Sequence, residues 1–328
     1  MIENIFNSFN NINVLILGDV IIDRYLDGTV DRISPEAPVP IVHLQQSDNR
    51  LGGAANVALN VKAMGATPFL FSVIGEDENA IIFQKLLPKN NLWSDGMVKS
   101  TERCTTVKTR VMANHQQLLR VDREDTHDIS KNVKALLFNK IKGFLDKNTV
   151  HVIILQDYNK GVLALPVIEN ILSEAEKRNI PVVVDPKKNH FFDFKKVEIF
   201  KPNLKEIRDS VPFEVTTDLH SLKKASDYLR TQSGNKNTII TLSEKGIFID
   251  DGKKQSIIPT QIRNIADVCG AGDSVISLTA LGVAIQLDLE KIAILSNLAG
   301  GQVCEKVGVV SVNKIQLKEE FNQLINDE

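Results

Sequence analysis

The sequence predicts an α/β fold, with a mainly parallel central sheet covered by helices on both faces and a small second β-sheet beside it. Three observations predict it: short apolar runs that stop abruptly at polar residues, helical stretches between several of them, and two early segments that alternate like strands. No internal repeat, low-complexity stretch or Gly/Ser-rich linker divides the 328 residues, so 1–328 reads as a single domain. A hydrophobic content of 43% is ample for its core.

Residues 13–17, NVLIL, form a continuous apolar run ending at Gly18-Asp19, as in a buried parallel strand whose C-terminal end opens into a site. HVIILQD (151–157), IPVVVDP (180–186) and VEIFKPN (197–203) follow the same plan, and TIITLSEKG (238–246) closes on Ser, Glu, Lys and Gly. Between them, PVIENILSEAEKRN (166–179) and LHSLKKASDYLRTQSG (219–234) carry helical patterns. Ligands of such sheets bind beyond the carboxyl ends of the strands, where these polar residues collect. APVPIVHLQQ (37–46) alternates like a strand, but Pro38 and Pro40 restrict it to an edge or a strand start. TTVKTRVMANHQQLLRVDRE (105–124) reads as a hairpin turning near 113–115. Together these predict a lid over the site, built from segments near 20–46 and 105–124.

The charge balance, 39 basic against 41 acidic residues, excludes the overall basic field that nucleic-acid binding usually needs, so any phosphate binding is local. Cys104, Cys269 and Cys304 are widely spaced and odd in number, which fits neither a disulfide framework nor a zinc site. MIENIFNSFNN lacks the basic and apolar regions of a signal peptide. The longest apolar run, near 274–287, is shorter than the ~20 residues of a membrane span. The expectation is a cytoplasmic protein with no nucleic-acid or membrane partner.

DVCGAGDSV (267–275) places a Gly-Ala-Gly turn at the start of a helix, where unpaired N–H groups and the helix dipole make a seat for an anion. Asp273 follows directly, as a cap or as a functional acid. LGGAANVALNVKAMGA (51–66) likewise sets two glycines and two alanines before Asn56 and a helix. Neither stretch is a Walker A loop, and no G-x-G-x-x-G follows the first strand.

LGGAANVA and DVCGAGDS resemble the two signature motifs of the ribokinase-like (PfkB) carbohydrate kinases. GDVIIDRYLDGTVDRISPEAPVPIVHLQ and KTRVMANHQQLLRVDRE narrow the resemblance to the D-glycero-β-D-manno-heptose-7-phosphate kinases of lipopolysaccharide-core synthesis. QDYNKGVL, DPK, KPNLKEI and TLSEKG extend it over essentially the whole chain.

The resemblance implies a three-layer α/β/α kinase with a β-sheet lid, using ATP and Mg2+ to phosphorylate the anomeric (C1) hydroxyl of the heptose 7-phosphate. Asp273 would take the hydroxyl proton, while Gly270, Ala271 and Gly272 offer N–H groups to the moving phosphoryl charge. On the sugar side, Asp19, Asp23, Gly52, Gly53 and Asn56 would meet hydroxyls. Asp19 also reads as a strand-end cap, and Asp23 with Arg24 as a surface ion pair. Lys108, Arg110 and Arg120 on the lid would receive the sugar phosphate, through bidentate contact where Arg is used; each alone also fits a solvated face. Asp157 and Lys160 lie in a strand-end loop that the resemblance puts at the site, otherwise an ordinary turn. His115 on the hairpin is the one His placed near substrate.

For the nucleotide, the resemblance implies Lys187, Asn203, Thr241, Ser243, Gly246, Gly272 and Asn297, with GGQ (300–302) allowing close approach of the base. Asn203 and Glu206 would organise the metal, Glu206 through water; they equally suit an Asn cap with Glu in the first turn. Cys269 reads as small-residue packing rather than a redox thiol. Val268-Cys269 stand where many relatives carry Thr, which leaves the glycines and Asp273 intact. Bifunctional relatives add a nucleotidyltransferase with an H-x-G-H motif absent here, so the adenylyl-transfer step is expected on a separate protein. A homodimer pairing through the lid is expected from its edge strand. Another sugar, sugar phosphate or nucleoside acceptor, or a catalytically silent sugar- or nucleotide-binding regulator, are the competing readings.

Overall fold

The computed structural model describes residues 2–114 and 116–326. In chain order, α1 (Ile2–Ser8) leads to β1 (Asn13–Gly18), β2 (Val20–Ile33), β3 (Pro40–Gly53), α2 (Ala54–Ala63), β4 (Thr67–Gly75), α3 (Glu78–Lys89) and β5 (Met97–Ser100). Strands β6 (Val107–Ala113) and β7 (Gln116–Arg123) precede α4 (Lys131–Leu145), β8 (Val152–Gln156), α5 (Leu165–Lys177), β9 (Val182–Asp185), β10 (Ile199–Phe200), α6 (Leu204–Ser210) and α7 (Leu219–Ser233). Then come β11 (Asn237–Thr241), β12 (Ile247–Asp250), β13 (Gln255–Ile258), α8 (Ala271–Ala284), α9 (Leu289–Cys304) and α10 (Lys314–Asn326).

The main sheet runs in the order β13-β12-β11-β10-β9-β8-β1-β4-β5, with all strands parallel except β12, which pairs antiparallel with both β11 and β13. Successive side chains of a strand point to opposite faces, and both faces are covered. Val14 and Ile16 of β1 join one core with residues of α2, α8, α9 and α10. Leu15 and Leu17 join the other, with residues of α4, α5 and α7. Double burial is why NVLIL reads as an unbroken apolar run rather than an alternating one.

The second sheet, in the order β3-β2-β6-β7, stands apart from the first. Pro40 opens β3, which is an edge strand, consistent with the restriction that proline imposes. β3 runs on past residue 46 to Gly53, so Leu51-Gly52-Gly53 end a lid strand and feed directly into α2. VEIFKPN yields only the two-residue β10, because Pro202 has no N–H for a ladder and Asn203 already caps α6. Among the described residues, no helix is long and apolar enough to cross a membrane.

From β1 the sheet grows outward to β4 and β5; from β8 it grows the other way, through β9 and β10 to β11. The crevice beyond β1 and β8 is therefore a topological switch point, where α/β sheets bind ligands. Asp19 follows β1, Asp157 follows β8 and Asp185 ends β9.

Candidate active site

Gly270 caps α8 at φ 81°, a left-handed conformation that glycine adopts without strain. The first backbone bond back along the helix is from Ser274 N to Gly270 O, at 3.0 Å. Of the N–H groups ahead of it, that of Ala271 reaches Val268 O at 3.4 Å, and the first turn otherwise lacks intrahelical acceptors and carries the positive end of the helix dipole. Asp273 sits in this first turn and is only 4% exposed. Asn56 Nδ2 donates to its Oδ2 at 2.8 Å, and Tyr158 Oη donates to its Oδ1 at 2.5 Å. Burial pushes the carboxyl up to about 6 against the pull of these two bonds. It is thus ionised at neutral pH yet basic enough to accept a proton.

On one side of Asp273 lie the residues expected at the sugar. Asp23 is buried and ion-paired with Arg110, whose guanidinium also lies 5.3 Å from the Tyr25 ring centre. A Cβ at Gly52 would come within 2.0 Å of Asp23 Oδ2, which explains the glycine there. Lys108 Nζ stands 5.6 Å from the Tyr158 ring centre, and burial lowers its pKa. Asp19 accepts from the backbone N–H groups of Tyr158, Lys160 and Val162 at 2.8, 3.0 and 3.1 Å, so it organises the loop after β8. Asp157 accepts from Asn159 N and Lys187 N. Burial beside the Asp19 charge pushes its carboxyl up to about 7. Lys160 Nζ is 2.8 Å from Glu124, and Arg120 lies on exposed β7 paired with Asp122 at 3.0 Å. Arg120 therefore stands outside the buried group. His115 lies outside the described residues.

On the other side, a cleft of about 770 Å³ brings together Lys187, Asn203, Thr241, Ser243, Gly246, Asn297 and the Gly270–Asp273 turn. These are the residues expected at the nucleotide. Lys187 Nζ sits between Asp185, at 3.1 Å, and Glu206. Burial works against its charge, but the two carboxylates outweigh this and raise its pKa. Lys201, 2% exposed, holds the other oxygen of Asp185 at 3.1 Å. Asn203 and Glu206 form a complete capping box on α6: Glu206 N donates to Asn203 Oδ1 at 2.9 Å and Asn203 N to Glu206 Oε2 at 2.8 Å. Asn297 donates to Pro259 O at 2.9 Å and so anchors the segment after β13. Gly300 and Gly301 make room for Val275 and Arg263 respectively, which gives those glycines a packing reason. Burial and Asp267 push the Cys269 thiol up to about 11, away from thiolate chemistry.

The family of pfkB carbohydrate kinases matches residues 11–316. The chain belongs to that family. Among curated relatives, it is 38% identical over 320 residues to the bifunctional protein HldE of Trichlorobacter lovleyi, covering 97% of this chain and 64% of that one. It is 34% identical over 317 residues to the bifunctional protein HldE of Campylobacter curvus, covering 97% and 66%. The chain thus spans about two thirds of the length of these relatives, which are named as bifunctional. They lend no support to an adenylyl-transfer step on a separate protein. The fold is that of phosphofructokinase-2 from Escherichia coli in complex with substrates and products (TM-score 0.80, 18% identity, covering 96% and 99% of the two chains). It is also that of ribokinase from Thermotoga maritima (TM-score 0.69, 17% identity, covering 95% and 99%).

In this pfkB kinase, three residues of the site escape a reading of the sequence. Tyr158 lies inside QDYNKG but reveals its target only in three dimensions. Asn60 takes Ser274 Oγ at 3.2 Å and Val312 N at 3.0 Å on its Oδ1, and donates to Asn56 O at 3.0 Å. Its signal is an Asn four residues after Asn56 on an otherwise apolar helix face. Lys201 ends the apolar run VEIFK, a place where a lysine needs a buried partner.

The donor set also limits how a metal would be held. Glu206 has one carboxylate oxygen on Asn203 N and the other on Lys187. Among the described residues, no cluster of three or more His, Cys, Asp or Glu is arranged to hold an ion. These residues would fit Mg2+ that is bound chiefly by nucleotide phosphates and water, and would not fit a metal held directly by a protein carboxylate cluster.

Proposed function

We propose that this kinase transfers the γ-phosphoryl group of ATP to the C1 hydroxyl of D-glycero-β-D-manno-heptose 7-phosphate. The product would be the 1,7-bisphosphate of ADP-heptose and lipopolysaccharide-core synthesis. The observation that carries the transfer is the position of Asp273: a buried, two-point-anchored carboxylate between the Lys187 cleft and the lid face of Lys108 and Arg110.

Asp273 accepts the proton of the attacking hydroxyl, and the N–H groups at Gly270–Gly272 meet the charge that gathers on the transferring group. Lys187 neutralises phosphate charge on the nucleotide side. Asn203 and Glu206 would hold Mg2+ through water when it is bound with ATP, where it would supply further neutralisation of phosphate charge. Lys108, half-buried over the Tyr158 ring, faces the acceptor and favours one that already bears a phosphate. Arg110 is paired with Asp23 and holds that carboxylate in place to meet sugar hydroxyls.

A different sugar acceptor is the second reading. It is favoured by the pairing of Arg110 and Arg120 with acids of the lid itself, which leaves fewer cations for a substrate phosphate. A silent regulator is disfavoured by the intact Asp273. A coupled ADP-release screen over phosphorylated and unphosphorylated sugars decides between acceptors: the heptose 7-phosphate is expected to give the highest kcat/KM, and a better neutral sugar overturns the assignment. Exposed Ile33, Val39 and Leu44 on the β2–β3 side of the lid support a homodimer through this edge. A monomer by light scattering at micromolar concentration overturns that part.

A further inference from the structure

We propose that Tyr158 is a positioning residue, orienting the Asp273 carboxylate for proton acceptance through its phenol hydrogen bond to Oδ1; the proposal rests on Asp273 acting as the base.

Four observations converge on it. The phenol oxygen is 2.5 Å from Asp273 Oδ1, while Asn56 holds Oδ2, so the carboxylate is gripped at both oxygens and cannot rotate without losing a bond. The backbone of Tyr158 is itself pinned, its N–H donating to buried Asp19 at 2.8 Å. Two ammonium groups lie near the ring, Lys108 at 5.6 Å and Lys187 at 5.8 Å from its centre. Burial, and next the Asp273 charge, raise the phenol's own pKa well above its ordinary value, so it remains a donor across the working range.

The electrostatic surroundings of Asp273 define what the phenol adds. Asn56 faces it from α2, Asp23 from β2 and Asp185 from β9. Asp23 is offset by Arg110, and Asp185 by Lys187 and Lys201. Lys108 adds a cation from β6 over the Tyr158 ring. Among the described residues, Tyr158 and Asn56 are the two side chains that bond directly to the carboxylate. A hydrogen bond to the charged form favours that form. Loss of the phenol makes Asp273 hold its proton to higher pH and frees Oδ1 to turn away from the acceptor.

The test is the pH profile of kcat with Mg·ATP and the heptose 7-phosphate for Tyr158→Phe, which keeps the ring near the two lysines. The acid limb is expected to move up by about one pH unit. Turnover at pH 6 is then expected to fall ~5-fold, approaching ~10-fold at lower pH and recovering toward the wild-type plateau at high pH, with the KM for ATP unchanged. Site-specific 3-fluorotyrosine at position 158, a stronger donor, is expected to move the limb the other way. Carbon-13 NMR of aspartate-labelled protein, with the Asp273 signal assigned by its loss in Asp273→Asn, reads the same titration without turnover. Unmoved limbs and an unmoved signal in folded Tyr158→Phe overturn the proposal while Asp273→Asn stays inactive. An active Asp273→Asn overturns the base assignment instead.

Discussion

Asn56 Nδ2 and Asp273 Oδ2 meet at 2.8 Å across 217 residues of chain. This one bond joins the two glycine-led helix starts, LGGAAN and GAGD, and fixes the Asp273 carboxylate with respect to the C-terminal end of β3. Gly52 and Gly53 end β3 and lead directly into α2, so the second sheet connects to Asn56 with no intervening loop.

Asp273→Asn keeps the shape of the first turn and removes the proton acceptor. Turnover is expected to fall at least ~10²- to 10⁴-fold, the usual contribution of a positioned base. Nucleotide binding by calorimetry is expected to stay within a few-fold of wild type. In the unmodified enzyme, kcat is expected to rise with pH through about 6 as Asp273 loses its proton. Near-normal turnover in the purified variant removes Asp273 from the mechanism.

What was legible in the sequence was what is local. An apolar run that stops at Gly18-Asp19 declares a doubly buried strand and its functional end. A Gly-Ala-Gly before a helix declares exposed N–H groups. Asn203 and Glu206 declare a cap three residues apart, and they form one. What depends on distant partners was not legible. Tyr158 finds Asp273, and Lys201 finds Asp185, only after the sheet assembles. Arg110 and Arg120 look equivalent on neighbouring strands and face each other in register, yet Arg110 meets buried Asp23 while Arg120 remains in solvent. β4 is not among the strands read from the sequence; its Pro68 is accommodated at the second residue, next to the strand start.

Gly52→Ala tests the linkage between lid and acceptor site. The added Cβ would stand 2.0 Å from Asp23 Oδ2, so the carboxylate must shift and its pair with Arg110 is disturbed. Losing a buried pair outright costs about 3–5 kcal/mol, which is the upper bound of the effect. A fall in Tm of several degrees is expected, together with at least a tenfold rise in acceptor KM and little change in the KM for ATP. Gly143→Ala in α4 is the matched control. Its Cβ meets nothing within 4 Å, and a gain of about 0.5–1 kcal/mol is expected from helix propensity. Equal melting temperatures for the two variants contradict the role given to Gly52.

Glu206→Gln separates capping from metal handling. Glutamine preserves the capping box, because its carbonyl still accepts from Asn203 N, but it removes the charge facing Lys187. The Mg2+ concentration for half-maximal activity is expected to rise several-fold, with thermal stability changed little. An unchanged metal titration leaves Glu206 as a helix cap and Lys187 partner only.

The buried base also sets a pH dependence of stability. The folded-state pKa of Asp273 is raised from 3.8 to about 6, chiefly by burial, so the folded protein binds this proton more tightly than the unfolded chain does. The stabilisation that results is fully present below pH 3.8 and is lost as pH rises through about 6. At 1.36 kcal/mol per unit, the shift corresponds to roughly 3 kcal/mol. Asp273→Asn has no charge to desolvate. The ligand-free variant is therefore expected to melt higher than wild type at pH 8, and the difference is expected to shrink toward pH 5. Paired melting curves at the two pH values provide the check. A difference in Tm that does not vary with pH would mean that the Asp273 carboxylate is solvated in the folded protein, and that its burial does not make it basic.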